Sequence, residues 1–257
     1  MNKHINTLGV VTCSRADLPG LSRTLESLKL GRGSFQKLIL VLSDYSDSEI
    51  QTLIADYSIL KPIFVLTESK GIYQAMNLGC ADLETQLVLF LNGGDELIDP
   101  GALIELTNLI KSGGWGYGGI QIASVESKTL RTYQFGRYSK KLHRFTIRYV
   151  PHPATVFSMQ TLRQFGGYNL SYSTAADQDL ILRFARASDP TVINKTIAKF
   201  YLGGQSTRSN RETITELRKI SKNVFGNTLD SEVIDKIVWD TISVIRFAAK
   251  KVFSILR

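Results

Sequence analysis

Between residues 8 and 110 the chain alternates short apolar runs with segments whose apolar residues recur at helical spacing. The runs are Leu8–Thr12, Lys37–Leu42, Ile63–Leu66 and Leu87–Leu91. Continuous apolar runs of this length suit strands buried on both faces. Between them, Leu21, Leu25 and Leu28 keep helical spacing, with Asp17 placed to cap and Pro19 in the first turn. Ile50, Leu53, Ile54 and Tyr57 mark a second helix, Ile72–Ala81 a third and Leu103–Ile110 a fourth. Strands and helices alternating in this way predict an α/β fold with a mainly parallel central sheet covered on both faces. Ligands in such sheets bind outside the carboxyl ends of the strands. Those ends are Thr12–Arg15, Ser43–Asp47, Thr67–Gly71 and Asn92–Asp95, and each is polar.

After residue 113 the alternation stops. Gly113–Gly119 is glycine-rich. Lys128–His143 is basic, with Tyr133, Phe135, Tyr138 and Phe145 interleaved or adjacent, and reads as a loop or hairpin or as an acceptor flap. A strand near Thr155–Phe157 and a helix over Asp177–Ala187 follow. Over Asp230–Arg257, apolar residues at 234, 238, 242, 245, 249, 252 and 256 form one helical face on an otherwise basic segment. Such a helix either packs on the domain or lies on an anionic membrane surface.

The chain has 257 residues, 43% of them hydrophobic, enough for one α/β domain with a large core. No apolar run approaches the roughly 18–20 residues that span a bilayer. The polar Met1–Thr7 lacks an apolar h-region, so no secretory signal is expected. Cys13 and Cys80 do not make a disulfide framework. They read as buried small apolar side chains in a reducing, cytoplasmic setting. The formal net charge of +8 suits an anionic partner: nucleic acid, anionic lipid or a diphosphate donor.

Three stretches narrow that choice. One runs from Lys70-Gly71-Ile72-Tyr73-Gln74-Ala75-Met76-Asn77 to Leu91-Asn92-Gly93-Gly94-Asp95. The next is Val150-Pro151-His152-Pro153-Ala154-Thr155. The last runs from Phe165-Gly166-Gly167-Tyr168 to Asp177-Gln178-Asp179-Leu180-Ile181-Leu182-Arg183. In this order and spacing the chain resembles the family 2 glycosyltransferases of the A-type nucleotide-sugar (GT-A, Rossmann-like) fold, in particular the bacterial branch that builds capsule, exopolysaccharide and O-antigen. The resemblance covers about Leu8 to Thr207. It implies a catalytic domain over residues 1–207, with a nucleotide-sugar half (1–112) and an acceptor and catalytic half (113–207), then a helical extension over 208–257.

The resemblance also implies roles. Thr12 sits where the family contacts the base, and Asp44 and Asp47 match the acidic loop that holds base or ribose; Asp47 reads equally as an Asx-type turn. Arg15 and Lys70 are cations beside the expected diphosphate, and Gly71 lets backbone approach it at a helix N-terminus. Tyr73 and Asn77 share a face near the donor, with core packing the alternative for Tyr73. A leaving diphosphate usually needs Mg2+ or Mn2+, which prefers carboxylate oxygen. Asp95 is the expected metal ligand, or else a loop or helix-capping acid. The chain departs from the family's aspartate-rich stretch at Asn92 and Gly94, which stand beside the donor. Gln74 likewise replaces a common acid.

Asp177 matches the family's base and would take the acceptor proton; its plain alternative is a helix-start acid. Asp179 either assists directly or pairs with Arg183. His152, in a rigid Pro151-His152-Pro153 turn, either reaches metal, diphosphate or acceptor, or is structural. Gly203–Thr207 resembles a closing loop, and His4 and His143 read as structural. The implied partners are a nucleotide-sugar, by default UDP-linked, and a glycan on a polyprenyl diphosphate at the inner membrane face; inversion at the anomeric carbon comes from the resemblance. A dehydrogenase or epimerase would need a Gly-x-Gly-x-x-Gly turn after the first strand, where Thr12-Cys13-Ser14-Arg15-Ala16-Asp17 stands instead. No nucleic-acid module is visible. A catalytically inactive, donor-binding homologue is the remaining rival.

Overall fold

Alternate residues of the first strand, β1 (Leu8–Arg15), enter two separate cores: Leu8 and Val10 one, Val11 and Cys13 the other. The same parity holds in β2 (Lys37–Ser43), where Leu38, Leu40 and Leu42 oppose Ile39 and Val41. It holds again in β4 (Leu87–Phe90), where Leu87 and Leu89 oppose Val88 and Phe90. A strand apolar on both faces needs cover on both, and helices supply it. On the Leu8 side lie α1 (Leu18–Leu30), α2 (Asp47–Tyr57) and α4 (Pro100–Leu109). On the Val11 side lie α3 (Ile72–Ala81), α6 (Met159–Gln164), α7 (Ala176–Ala187) and α8 (Arg211–Phe225). The structure, a computed structural model, describes residues 6–68, 71–124, 129–134, 136–145, 149–202, 211–226, 239 and 241.

The remaining elements are β3 (Ile63–Leu66), β5 (Glu96–Leu97), β6 (Trp115–Ala123), β7 (Thr129–Tyr133), α5 (Lys140–Arg144), β8 (Thr155–Ser158) and β9 (Thr191–Tyr201). The sheet order is β3-β2-β1-β4-β8-β6-β9-β5, with β7 on β6. From β3 to β4 every pairing is parallel, as the alternation predicts. Beyond β4, antiparallel pairs join β8 to β4 and to β6, while β9 runs parallel to β6. The expected α/β fold stands, with its parallel half carrying the first four polar strand ends.

The glycine-rich stretch is the strand β6, not a break. A Cβ at Gly116 would lie 2.5 Å from the Thr191 carbonyl, and one at Gly119 would lie 2.4 Å from that of Tyr133. Register shifts flank Gly119. Glycine there permits close backbone approach at a bulge, at the cost of the strand's sequence signal. The basic segment after it begins as the hairpin partner β7 and continues into α5.

Helix α8 belongs to the body of the fold. Leu217, Ile220 and Val224 share a core with Leu180, Ile181 and Phe184 of α7. Arg186 Nη1 donates to Val224 O at 2.7 Å. Trp239 is buried in the same core, its ring 6.3 Å from that of Phe145. The helix expected over 230–257 otherwise lies outside the described residues, as do His4, Lys70 and the loop Gly203–Thr207. No described helix is long and apolar enough to cross a membrane. Cys13 and Cys80 are both unpaired thiols; Cys13 is buried as expected, and Cys80 is only partly so.

Candidate active site

Strands β1 and β2 both end in left-handed backbone: Ala16 has φ 44° and Asp44 φ 60°. Aspartate tolerates this region, whereas alanine adopts it under strain. The two turns are tied by the Ala16 N–H, which donates to Ser43 O at 3.2 Å. Arg15 Nε meets Asp44 Oδ2 at 2.6 Å, and both side chains stay about half exposed, at 45% and 54%. Tyr45 folds back so that its hydroxyl lies 2.7 Å from Ser14 Oγ and accepts from the Asp17 N–H at 3.1 Å. A Cβ on Gly93 would sit 2.6 Å from Ser14 Oγ, so the turn after β4 packs against the end of β1. Arg15, Asp44 and the Asn92–Asp95 turn thus line one end of the sheet.

Thr12 lies one layer below that surface. It is wholly buried, and its hydroxyl has no hydrogen-bond partner among the described residues. Ser14 and Arg15, not Thr12, reach the mouth. Asp47 begins α2 behind a Ser46–Glu49 capping box, so Ser46 and not an Asx-type turn of Asp47 leads into that helix.

The Asn92–Asp95 turn is fixed from below by α1. Gly94 has φ +104°; its N–H donates to Thr24 Oγ1 at 2.9 Å, and its carbonyl accepts from Arg23 Nη2 at 3.3 Å. Gly94 therefore shapes the turn with both backbone groups engaged. Asp95 is buried. Burial pushes its carboxyl up to about 7, against a hydrogen bond from the Tyr201 backbone and the charge of Arg23. The Arg23 guanidinium stacks 4.2 Å from the Tyr201 ring centre, and the Tyr201 hydroxyl donates to Glu96 Oε1 at 2.6 Å. Asp95 is no helix cap, because Asp99 caps α4 by accepting from the Ala102 N–H. Asn92 Oδ1 is buried without a partner among the described residues. Among the described residues no group of three or more His, Cys, Asp or Glu is placed to hold a metal ion by itself.

The second part of the site surrounds the start of α7. Asp177 Oδ1 accepts from the Tyr73 hydroxyl at 3.2 Å, and Oδ2 accepts from Gln178 Nε2 at 3.2 Å. Asp179 is engaged differently. Its Oδ2 lies 2.7 Å from Arg183 Nη2, and that guanidinium also donates to Phe165 O and Gly167 O at 2.9 and 2.7 Å. Of the two paired acids, one is neutralised inside the fold, while the other meets neutral donors only among the described residues.

His152 stands behind this pair. It is buried, stacked 5.7 Å from Phe90, with Nε2 2.7 Å from the Tyr168 hydroxyl. Burial holds its imidazole below the ordinary value, and the Asp177 charge pulls the other way. Tyr168 stacks 5.6 Å from Tyr73. Asn77 is used up on Tyr168's backbone: Nδ2 donates to its carbonyl at 3.0 Å and Oδ1 accepts from its N–H at 2.8 Å. Gly167 is required beside it, since its φ is +71° and a Cβ would lie 2.4 Å from Asn77 Oδ1. His152 and Asn77 thus brace Tyr168, on which Tyr73, the donor to Asp177, stacks.

Sequence reading missed Glu216. Helix α7 starts at Ala175 without a side-chain cap of its own. Glu216, from α8, accepts from the N–H groups of Ser173, Thr174 and Ala175 at 2.7 to 2.9 Å. A carboxylate that reaches from another helix to the backbone of the turn before α7 leaves no local motif to read. Partial burial pushes the Glu216 carboxyl up, but the Ser173 and Thr174 donors outweigh it, so its pKa falls below the ordinary 4.5. Stability from these bonds is therefore present above 4.5 and disappears as the pH drops through the lower folded value. Glu216→Ala is expected to lower stability at neutral pH by about 1–2 kcal/mol. Glu216→Gln should recover part of the loss, both read from denaturant midpoints.

The architecture is that of the A-type nucleotide-sugar transferase fold. Among solved structures, Staphylococcus aureus TarS 1-349 in complex with UDP aligns with a TM-score of 0.64 at 13% identity, over 92% of this chain and 70% of that one. The mannosyltransferase PcManGT of Pyrobaculum calidifontis, in complex with GDP-Man and Mn2+, aligns with a TM-score of 0.63 at 11% identity, over 97% and 76%. Among curated proteins, an uncharacterized glycosyltransferase of Mycobacterium tuberculosis is 28% identical over 229 residues, 83% of this chain and 82% of its own. No family model matches. The curated relative supports a glycosyltransferase; the solved structures share its fold.

Proposed function

We propose that the chain transfers a sugar from a nucleoside diphosphate donor, UDP-linked by default, to an acceptor hydroxyl, with Asp177 as general base. The observation carrying this is the split between the paired acids: Arg183 neutralises Asp179, whereas Asp177 stands half-buried with neutral donors on both oxygens. In one in-line step the acceptor oxygen bonds to the anomeric carbon while its proton passes to Asp177. The bond from that carbon to the diphosphate oxygen breaks, and its electron pair leaves on the diphosphate, so the anomeric centre inverts.

Arg15 and Lys70 are the cations assigned to the diphosphate, beside the N-terminus of α3, where Gly71 provides no side-chain cap. Asp44, oriented by Arg15, is assigned to base or ribose. Tyr73 orients Asp177. In this reading Asp179, His152 and Asn77 position other groups, and Thr12 and Gly94 shape the donor pocket from beneath.

A hard cation shared with a diphosphate needs only one or two protein oxygens. The unpartnered Asn92 Oδ1 and the buried, incompletely compensated Asp95 fit that need. A cation there would neutralise charge on the departing diphosphate. The TarS and PcManGT complexes with UDP, UDP-GlcNAc, and GDP-Man with Mn2+ support this donor class. The resemblance to family 2 supports a lipid-linked glycan acceptor in surface polysaccharide synthesis, met at the inner face of the membrane.

The test is release of nucleoside diphosphate from a panel of UDP-, GDP- and dTDP-sugars with Mn2+, Mg2+ or EDTA. Metal-dependent turnover of one donor upholds the reading; a folded chain that binds no nucleotide sinks it. For the metal, UDP binding is titrated with and without Mn2+. Asp95→Ala should remove at least about tenfold of the Mn2+-dependent affinity, the least that loss of an outer partner costs. Equal Mn2+ enhancement in variant and parent would take Asp95 out of the metal site.

A further inference from the structure

Gln178 and His143 are almost fully enclosed, at 6% and 1% exposure. Buried polar side chains are costly unless paired, and these two pair with each other and with both neighbours. His143 Nδ1 lies 3.0 Å from the Tyr138 hydroxyl, His143 Nε2 lies 3.3 Å from Gln178 Oε1, and Gln178 Nε2 lies 3.2 Å from Asp177 Oδ2.

The chemistry of the groups gives this chain one direction. A carboxylate accepts and does not donate, so Gln178 must turn its NH2 to Asp177. Its carbonyl oxygen then faces His143, which must carry its proton on Nε2. Burial lowers the His143 pKa to about 4, against the Gln178 hydrogen bond and the Asp177 charge. The imidazole is therefore neutral at neutral pH, and its Nδ1 lone pair accepts a hydrogen bond from the Tyr138 hydroxyl. Reversing any member would set two donors or two acceptors face to face.

We infer that Gln178 and His143 are positioning residues for the base: a one-way hydrogen-bond chain from Tyr138 through His143 and Gln178 fixes the Asp177 carboxylate to α5. The inference rests on the reading of Asp177 as base. It gives the basic Lys128–His143 segment a role besides contact with the acceptor, because Tyr138 and His143 both belong to it. Tyr73 holds one carboxylate oxygen from α3 and Gln178 holds the other, so the carboxylate cannot rotate without breaking a bond.

A purely structural role predicts a different response to substitution. Replacing both members of a buried polar pair by apolar groups of similar size can be neutral or stabilising, whereas removing one leaves the other unpaired. His143→Phe/Gln178→Met leaves only the partly buried Tyr138 hydroxyl and Asp177 Oδ2 to turn to water, and is therefore expected to keep the folding midpoint near that of the parent. Its kcat should fall roughly 10- to 100-fold with the donor KM unchanged, because loss of a positioned geometry acts on the chemical step. The histidine 15N spectrum of the parent, with His143→Phe as the assignment control, should show His143 as the Nε2–H tautomer. An Nδ1–H tautomer overturns the chain whatever the activity. An active parent whose double variant keeps full kcat, or loses rate only in step with stability, overturns the positioning role alone. A parent that turns over no donor instead sinks the reading of Asp177.

Discussion

Asp177→Asn is expected to lower kcat by about 10²- to 10⁴-fold, the usual contribution of a positioned general base, while donor binding and folding stay near those of the parent. Asparagine keeps the shape and one acceptor for Tyr73 or Gln178, but its amide cannot take a proton at neutral pH. The loss should appear in turnover with acceptor present and not in UDP titration. A uniform-binding role would give the reverse pattern, a raised KM with kcat kept. Full retention of kcat would place the base elsewhere. Asp179→Asn, at the neighbouring acid, should change stability more than rate, because Asp179 is committed to Arg183 and not to the cleft.

The parallel half of the fold was legible because its strands are buried on both faces and read as unbroken apolar runs. The third helix, Ile72–Ala81, matches its expected bounds. The other half hid its strands for physical reasons. Strand β6 carries three glycines where neighbouring backbone and side chains crowd it. Strand β9 interleaves Asn194, Lys195 and Lys199 with its apolar residues. Helix α8 is mostly polar, with an apolar stripe of Leu217, Ile220 and Val224. The acids of the site were legible as residues; what each one meets was not. The i,i+4 spacing of Asp179 and Arg183 allowed their pairing to be read, since it is a contact within one helix. Asp177 meets Tyr73 of α3 and a glutamine that α5 holds in turn, and the turn before its helix is held from α8. What holds Asn77 in place was not legible either, because its partner is the backbone of Tyr168, 91 residues away. Local pattern carries no trace of a partner at that distance.

Arg183→Met should be among the most destabilising single substitutions in the chain. The Asp179 side chain is 5% exposed and that of Arg183 21%, so the pair is largely out of water. Removing one partner of a buried pair costs about 3–5 kcal/mol, since the remaining charge has neither water nor a counter-ion. The change also strands the carbonyls of Phe165 and Gly167, which receive the same guanidinium. That turn leads into Tyr168, so damage there reaches His152 and Tyr73 as well. Burial already raises the Asp179 pKa, with the Arg183 charge opposing it; without Arg183 it rises further. An acid with a raised folded pKa binds more protons folded than unfolded, so its stability falls as pH rises. The deficit of Arg183→Met should accordingly be largest at neutral pH and shrink toward about pH 4, near the ordinary aspartate value. Asp179→Leu/Arg183→Met should recover most of the loss, because an apolar pair of similar volume leaves no charge unpaired. Denaturant midpoints of the three proteins at acidic and neutral pH decide the matter. A double variant as unstable as the single one would mean that the carbonyl contacts of Arg183, not its charge, hold the turn beneath the active site.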